Sequence, residues 1–166
     1  LIQGNISMND ITIPGAAFMD LSLKRVNTNY SDLKRILPFV KLPPNLETLG
    51  IVNFKGSYTG FFQDFVAYGQ LDTKLGRVNS DVQLYLKKGK ESAAYKGGLK
   101  FTNFDVGTFI GNEDVGKITV RSQLKGKGLT LETLDAELQN AKVDSFVFKD
   151  YQYKDIQIDG LFKQKK

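Results

Sequence analysis

Eight carboxylates stand where acid–base chemistry would look for its groups: Asp64, Asp72, Asp81, Asp135, Glu137, Asp144, Asp155 and Asp159. A facing pair of such groups could hydrolyse a glycosidic bond, one protonating the leaving oxygen while the other attacks or activates water. These eight do not bunch. They fall on the polar positions of alternating runs and in turns, where a solvated strand face carries its charge. Tyr151 and Tyr153 flank Gln152 and could stack a sugar or a base, although tyrosines packing against a sheet near a strand bend are the commoner arrangement. The sequence contains neither His nor Cys. That removes the imidazole base, the thiolate nucleophile, disulfides and thiolate metal ligands together. The expectation is a non-catalytic protein with no catalytic residue, no metal and no cofactor.

The elements that would position any site are strands. Apolar and polar residues alternate with period two through most of the 166 residues, the pattern of strands with one dry and one wet face. Val52, Phe54 and Tyr58 alternate with Asn53, Lys55 and Ser57. Phe65 and Leu71 oppose Asp64, Gln70 and Asp72. Val82, Leu84 and Leu86 alternate with Asp81, Gln83 and Lys87, and Leu99 and Phe101 with Gly98 and Lys100. Ile118, Val120 and Leu124 oppose Thr119, Arg121 and Gln123, and Ile156 and Ile158 oppose Asp155 and Gln157. Turn signals fall at Leu75-Gly76-Arg77, Lys88-Gly89-Lys90, Gly126-Lys127-Gly128 and Gln139-Asn140-Ala141.

Two segments depart from this period. Thr28–Leu37 sets Leu33, Ile36 and Leu37 at helical spacing, with Ser31 as the expected cap and Pro38 as the stop; Thr102–Ile110 does the same with Val106, Phe109 and Ile110. Both open Thr-Asn-aromatic, 74 residues apart, and both lie between strands. This order predicts an internal repeat with units 1–78 and 79–166 in a single β-rich stretch of a longer protein. The expected fold is mainly β: an elongated, curled antiparallel sheet, either a U-shaped groove or a half-open sandwich, each unit carrying one short helix.

Small residues interrupt the apolar face at Gly56, Ala67, Gly69, Gly97, Ser122, Ala136 and Ser145. They fit two arrangements. Either they sit opposite large side chains in a filled core, or a strongly curled sheet leaves an apolar trough suited to an acyl chain. The net charge of +5 is densest at Lys87-Lys88-Gly89-Lys90 and Lys163–Lys166, read as a solvated turn and a charged tail. A basic balance suits nucleic acid or anionic lipid headgroups, but the basic residues interleave with acids and no nucleic-acid module is expected. No run reaches the roughly 18 apolar residues of a membrane span.

The run Gly126–Leu138 (GKGLTLETLDAEL), leading into Val143–Gly160 (VDSFVFKDYQYKDIQIDG), resembles the AsmA-like/TamB family of bacterial envelope proteins, in particular its large Bacteroidetes-type members. Gly56–Gly76 is similar to the same family's repeating hairpins, and the resemblance spans residues 50–162. It implies a periplasmic location, a parent chain anchored in the inner membrane, and a taco-shaped sheet whose apolar interior carries phospholipid towards the outer membrane. An Omp85-type outer-membrane barrel is an implied partner. No individual residue transfers from the family. The alternation itself supplies the expected lipid-facing wall: Val52, Phe54, Tyr58, Phe65, Leu71, Val82, Leu84, Leu86, Leu99, Phe101, Ile118, Val120 and Leu124. The competing expectation is a scaffold or chaperone module that takes up strands of outer-membrane proteins.

Overall fold

The alternation is realised strand by strand. The computed structural model describes residues 1–10, 12, 16–36, 42–61, 63–86, 93–128 and 135–163. They form β1 (Ile2–Asn9), β2 (Phe18–Thr28), β3 (Val52–Phe61), β4 (Asp64–Thr73), β5 (Gly76–Tyr85), β6 (Ala94–Asp105), β7 (Val115–Lys127), β8 (Asp135–Phe148) and β9 (Tyr151–Lys163). Three short helices accompany them: α1 (Tyr30–Ile36), a 3₁₀ helix (Pro44–Leu49) and α2 (Val106–Ile110). The strands form one nine-stranded antiparallel meander in chain order, open rather than closed into a barrel, with β1 and β9 as its edges. A curled β architecture is what the alternation implied.

Tight connections hold the meander in register. Between β4 and β5 the Thr73 hydroxyl donates to the Gly76 carbonyl at 2.8 Å and accepts from the Leu75 amide at 3.1 Å. Lys149 and Asp150 turn β8 into β9 with φ of 48° and 62°, the left-handed conformation that a two-residue hairpin needs. The helices gather at one end for a topological reason. Strand direction alternates along the meander, so β2 and β6 run the same way, and α1 and α2 follow their C-terminal ends. The 3₁₀ helix contacts both.

The structure corrects several local expectations. Asn29, not Ser31, caps α1: its side-chain oxygen accepts from the Asp32 amide at 2.9 Å, the N-cap bond that holds an otherwise unsatisfied donor. Leu37 and Pro38 lie outside the described residues, as do Lys87, Lys88 and Lys90. Residues 102–105 extend β6, and α2 is a single turn started by Asp105, whose carboxylate accepts from the Thr108 amide at 2.9 Å. Gln139-Asn140-Ala141 is no turn; it is a bulge inside β8, with the Asn140 amide donating to Asp159 at 2.7 Å. Another bulge moves Ser145 off the apolar face. It pairs with Thr119 and Lys154, because an extra residue at Asp144 shifts the register between Val143 and Ser145.

Rings cover Gly56, Gly69 and Gly126 on the apolar face. Gly56 and Gly69 pair directly across β3 and β4, and the Phe54 ring lies over both, so a Cβ on Gly69 would overlap it and stand 3.0 Å from the Lys55 carbonyl. Tyr95 covers Gly126 in the same way, its Cζ 2.7 Å from where a Cβ would be. A ring folded flat along the sheet keeps its apolar surface without projecting upwards. Gly69→Ala is therefore expected to destabilise the fold by about 1–3 kcal/mol through overpacking, read as a lowered urea midpoint with unchanged slope. Trimming the ring in Gly69→Ala/Phe54→Leu should recover part of the loss. An unchanged midpoint in the single variant would contradict this packing.

Candidate functional site

Register carries the apolar residues across the sheet in continuous rows. Ile2 pairs with Val26, Val26 with Phe54, Phe54 with Leu71, Leu71 with Val78, Val78 with Phe101, Phe101 with Val120, Val120 with Val143 and Val143 with Ile156. One row of apolar side chains thus crosses all nine strands. A parallel row runs through Ile6, Leu21, Tyr58, Ala67, Val82, Gly97, Leu124 and Leu138. Between them lies a row of mostly small residues, Gly56, Gly69, Ser80, Leu99 and Ser122.

All thirteen residues of the expected wall lie among the described ones, and their pairing and spacing place them on one face. Leu86 lies just past β5, its amide donating to the Gln63 carbonyl at 2.7 Å. Their burial is the informative property. Only Val52 is buried, at 6% exposure, while the other twelve are half-buried. A filled sandwich would have closed most of these side chains off from solvent. At the helix-bearing end Phe104 is 4% exposed and packs edge-on against Phe101 and Phe109 with centroids 5.3 and 5.8 Å away; at the opposite end Ala93, Tyr95 and Ala136 are also buried. The helices close that end of the face. Towards the other end the Tyr58 and Phe65 rings stack at 4.4 Å.

Two phenols report on water along the wall. Desolvation pushes Tyr58 up to about 12. Tyr95 is also raised, by desolvation first and by the nearby Asp135 charge second. The Tyr58 hydroxyl donates to the Phe61 carbonyl at 3.0 Å. On the opposite face Asp72 is held below the usual carboxylate range by hydrogen bonds from Arg77 and then Gln70.

The wall is wider than the alternation placed it: Ile2, Val26, Val78, Val143 and Ile156 complete the first row. Val143 lies between the two bulges of β8, which break the period on either side of it. The eight carboxylates remain dispersed, and among the described residues no group of three acidic side chains could hold a metal ion. No described helix is long and apolar enough to cross a membrane. The chain matches no family model, no curated protein and no solved structure.

The Tyr58 shift gives a pH dependence of definite sign. The unfolded chain loses this proton near 10 and the folded protein near 12. The group's contribution to stability is therefore intact below about pH 10 and declines as pH rises through 12. A phenolate absorbance titration should contain one late-ionising tyrosine that disappears in Tyr58→Phe. Ionisation of Tyr58 together with the exposed tyrosines would mean that this part of the wall is wet.

Proposed function

We propose that this sheet is a non-catalytic conduit segment of an AsmA-like/TamB-type envelope protein, working in the periplasm. Its apolar inner face holds phospholipid acyl chains and passes them between the inner and outer membranes, in support of outer-membrane biogenesis. The observation that carries this reading is the apolar row that crosses nine strands while its side chains from Val26 to Val120, and Ile156, stay half-buried, with Ile2 exposed at one edge and Val143 buried. Transfer along such a face requires no bond chemistry. Each methylene taken from water gains about 0.8 kcal/mol, and the acyl chain leaves no unpaired polar group behind. From the level of Tyr95 to that of Phe101 the face runs about 20 Å at roughly 3.3 Å per residue, more than the half-thickness of a bilayer's hydrocarbon core, about 15 Å. Headgroups would ride at the open rim in water.

A second reading rests on the edges. In β1 every residue is exposed, with Ile2 and Ile6 each at 59%, and among the described residues no strand pairs with its outer backbone groups. Such an edge suits a client strand of an outer-membrane protein added by β-augmentation, with an Omp85-type barrel as the associated partner.

Organic extraction of detergent-free protein followed by lipid mass spectrometry separates the two readings. The parent protein and Gln83→Glu, altered on the polar face, are expected to yield near-stoichiometric phospholipid. Leu84→Glu, which sets a carboxylate on the apolar face, is expected to yield little while retaining its β circular dichroism. Empty extracts from all three would overturn the lipid reading. Capture of an outer-membrane strand peptide by the lipid-free protein would then favour the second.

A further inference from the structure

The opposite face of the sheet carries a feature that lipid conduction does not use. There Lys100 pairs with Arg121, and Arg121 with Lys142. Four residues along the strands on the same face, Lys96 stands directly opposite Lys125. Like charges placed opposite one another on adjacent strands destabilise a sheet by roughly 0.2–1 kcal/mol per pair. Among the described residues none of these five cations has an ion-pair partner; the ion pairs there are Arg35–Asp32 and Arg77–Asp72. The carboxylates paired within the patch are Asp81, opposite Gly98 and lining the hollow, and Glu137, opposite Lys125. Glu137 already accepts from the Gln139 amide at 2.7 Å. Positive charge dominates the patch.

The charges surround a hollow. Gly98 sits between the two basic rows and contributes no side chain; Gln123, opposite it, reaches over it with Nε2 3.3 Å from the position of a Cβ. An open cavity of about 840 Å³ lies here, with Tyr68, Lys96, Lys100, Arg121 and Gln123 in its wall. That is within the range of small-ligand sites. Tyr68 is 63% exposed. The strands beneath, β5 to β7, are paired on both sides. Their backbone groups are therefore spent, and an occupant must be read by side chains alone.

We propose that this hollow binds an acidic oligosaccharide, a hydroxylated chain bearing carboxylate groups. Each part of the site matches one part of such a ligand. The side-chain amides of Gln123 and its neighbours both donate and accept, as sugar hydroxyls require. The Tyr68 ring offers an apolar platform with a polar tip to a sugar face. Lys100 and Arg121 on one side of Gly98, and Lys96 and Lys125 on the other, meet anionic groups spread over about 13 Å, four residues at roughly 3.3 Å each. An acidic peptide would find no free strand edge here, and a single aromatic is a poor stacking platform for successive bases of a nucleic acid. The site is independent of the apolar face.

The test is calorimetric titration with tetragalacturonate, with neutral maltotetraose, a tetraglutamate peptide and a short single-stranded DNA as comparisons. Tetragalacturonate should bind while maltotetraose does not, and more tightly than the peptide or the DNA. Lys100→Gln/Arg121→Gln, which neutralises outward side chains and leaves the apolar face intact, should lower its affinity at least tenfold. Tyr68→Ala should weaken the sugar and leave residual peptide binding unchanged, a split that a general loss of fold would not produce. No binding of tetragalacturonate, or binding no tighter than that of tetraglutamate or DNA, would overturn the proposal, the latter by reducing the patch to non-specific charge.

Discussion

Strand register is the constraint on which the rest of this structure depends. Side chains alternate strictly across a strand, so a slip of one residue between any two neighbours would exchange the faces of everything beyond it. Phe54 opposite Leu71, Leu71 opposite Val78 and Val78 opposite Phe101 keep one face apolar only because each hairpin fixes the next pairing. Where the period fails, at Asp144 or Asn140, a bulge absorbs the extra residue and restores the apolar face one pair later. The same discipline places Lys100 opposite Arg121 on the other side. Both candidate sites are products of one register.

A face assembled this way has an unusual balance of forces. Most of its apolar side chains are neither solvated nor sealed, and its largest rings lie down over glycines rather than meeting a second layer. The cost of leaving apolar surface half-wet is tolerated at one end by packing of Phe104 and Phe109 beneath the helices, where a small dry core anchors the sheet. Away from that core Tyr95 is buried and Tyr58 half-buried, and partial desolvation raises both phenols. An acyl chain would complete the desolvation that the protein begins.

Much of this was legible from residue order. The strands of Val52–Tyr58, Val82–Leu84 and Ile118–Leu124 announced themselves by period two, and so did the common face of the thirteen wall residues. Bulges were not legible, because an extra residue such as Asp144 looks like any polar strand position until its neighbours pair; Ser145 was assigned to the wrong face for that reason. The cap of α1 falls to Asn29 rather than Ser31 because the helix begins at Tyr30, two residues before a Ser31 cap would start it. The basic hollow is not legible along the chain because it is spread over separate strands. Lys96 and Lys100 are four apart on β6, as Arg121 and Lys125 are on β7, and only pairing brings the two sets together. Along the chain they are merely lysines and an arginine among acids.

The most direct measurement of whether the apolar face contacts lipid is photo-crosslinking along β5. A photoreactive amino acid would be placed singly at positions 78 to 84, in protein kept in its native membrane-derived lipid, and phospholipid adducts counted at each. Adducts at Val78, Val82 and Leu84 with none at Asn79, Asp81 and Gln83 are the result expected of an acyl chain lying along one face. Adducts with no period, or none at any position, would contradict the account.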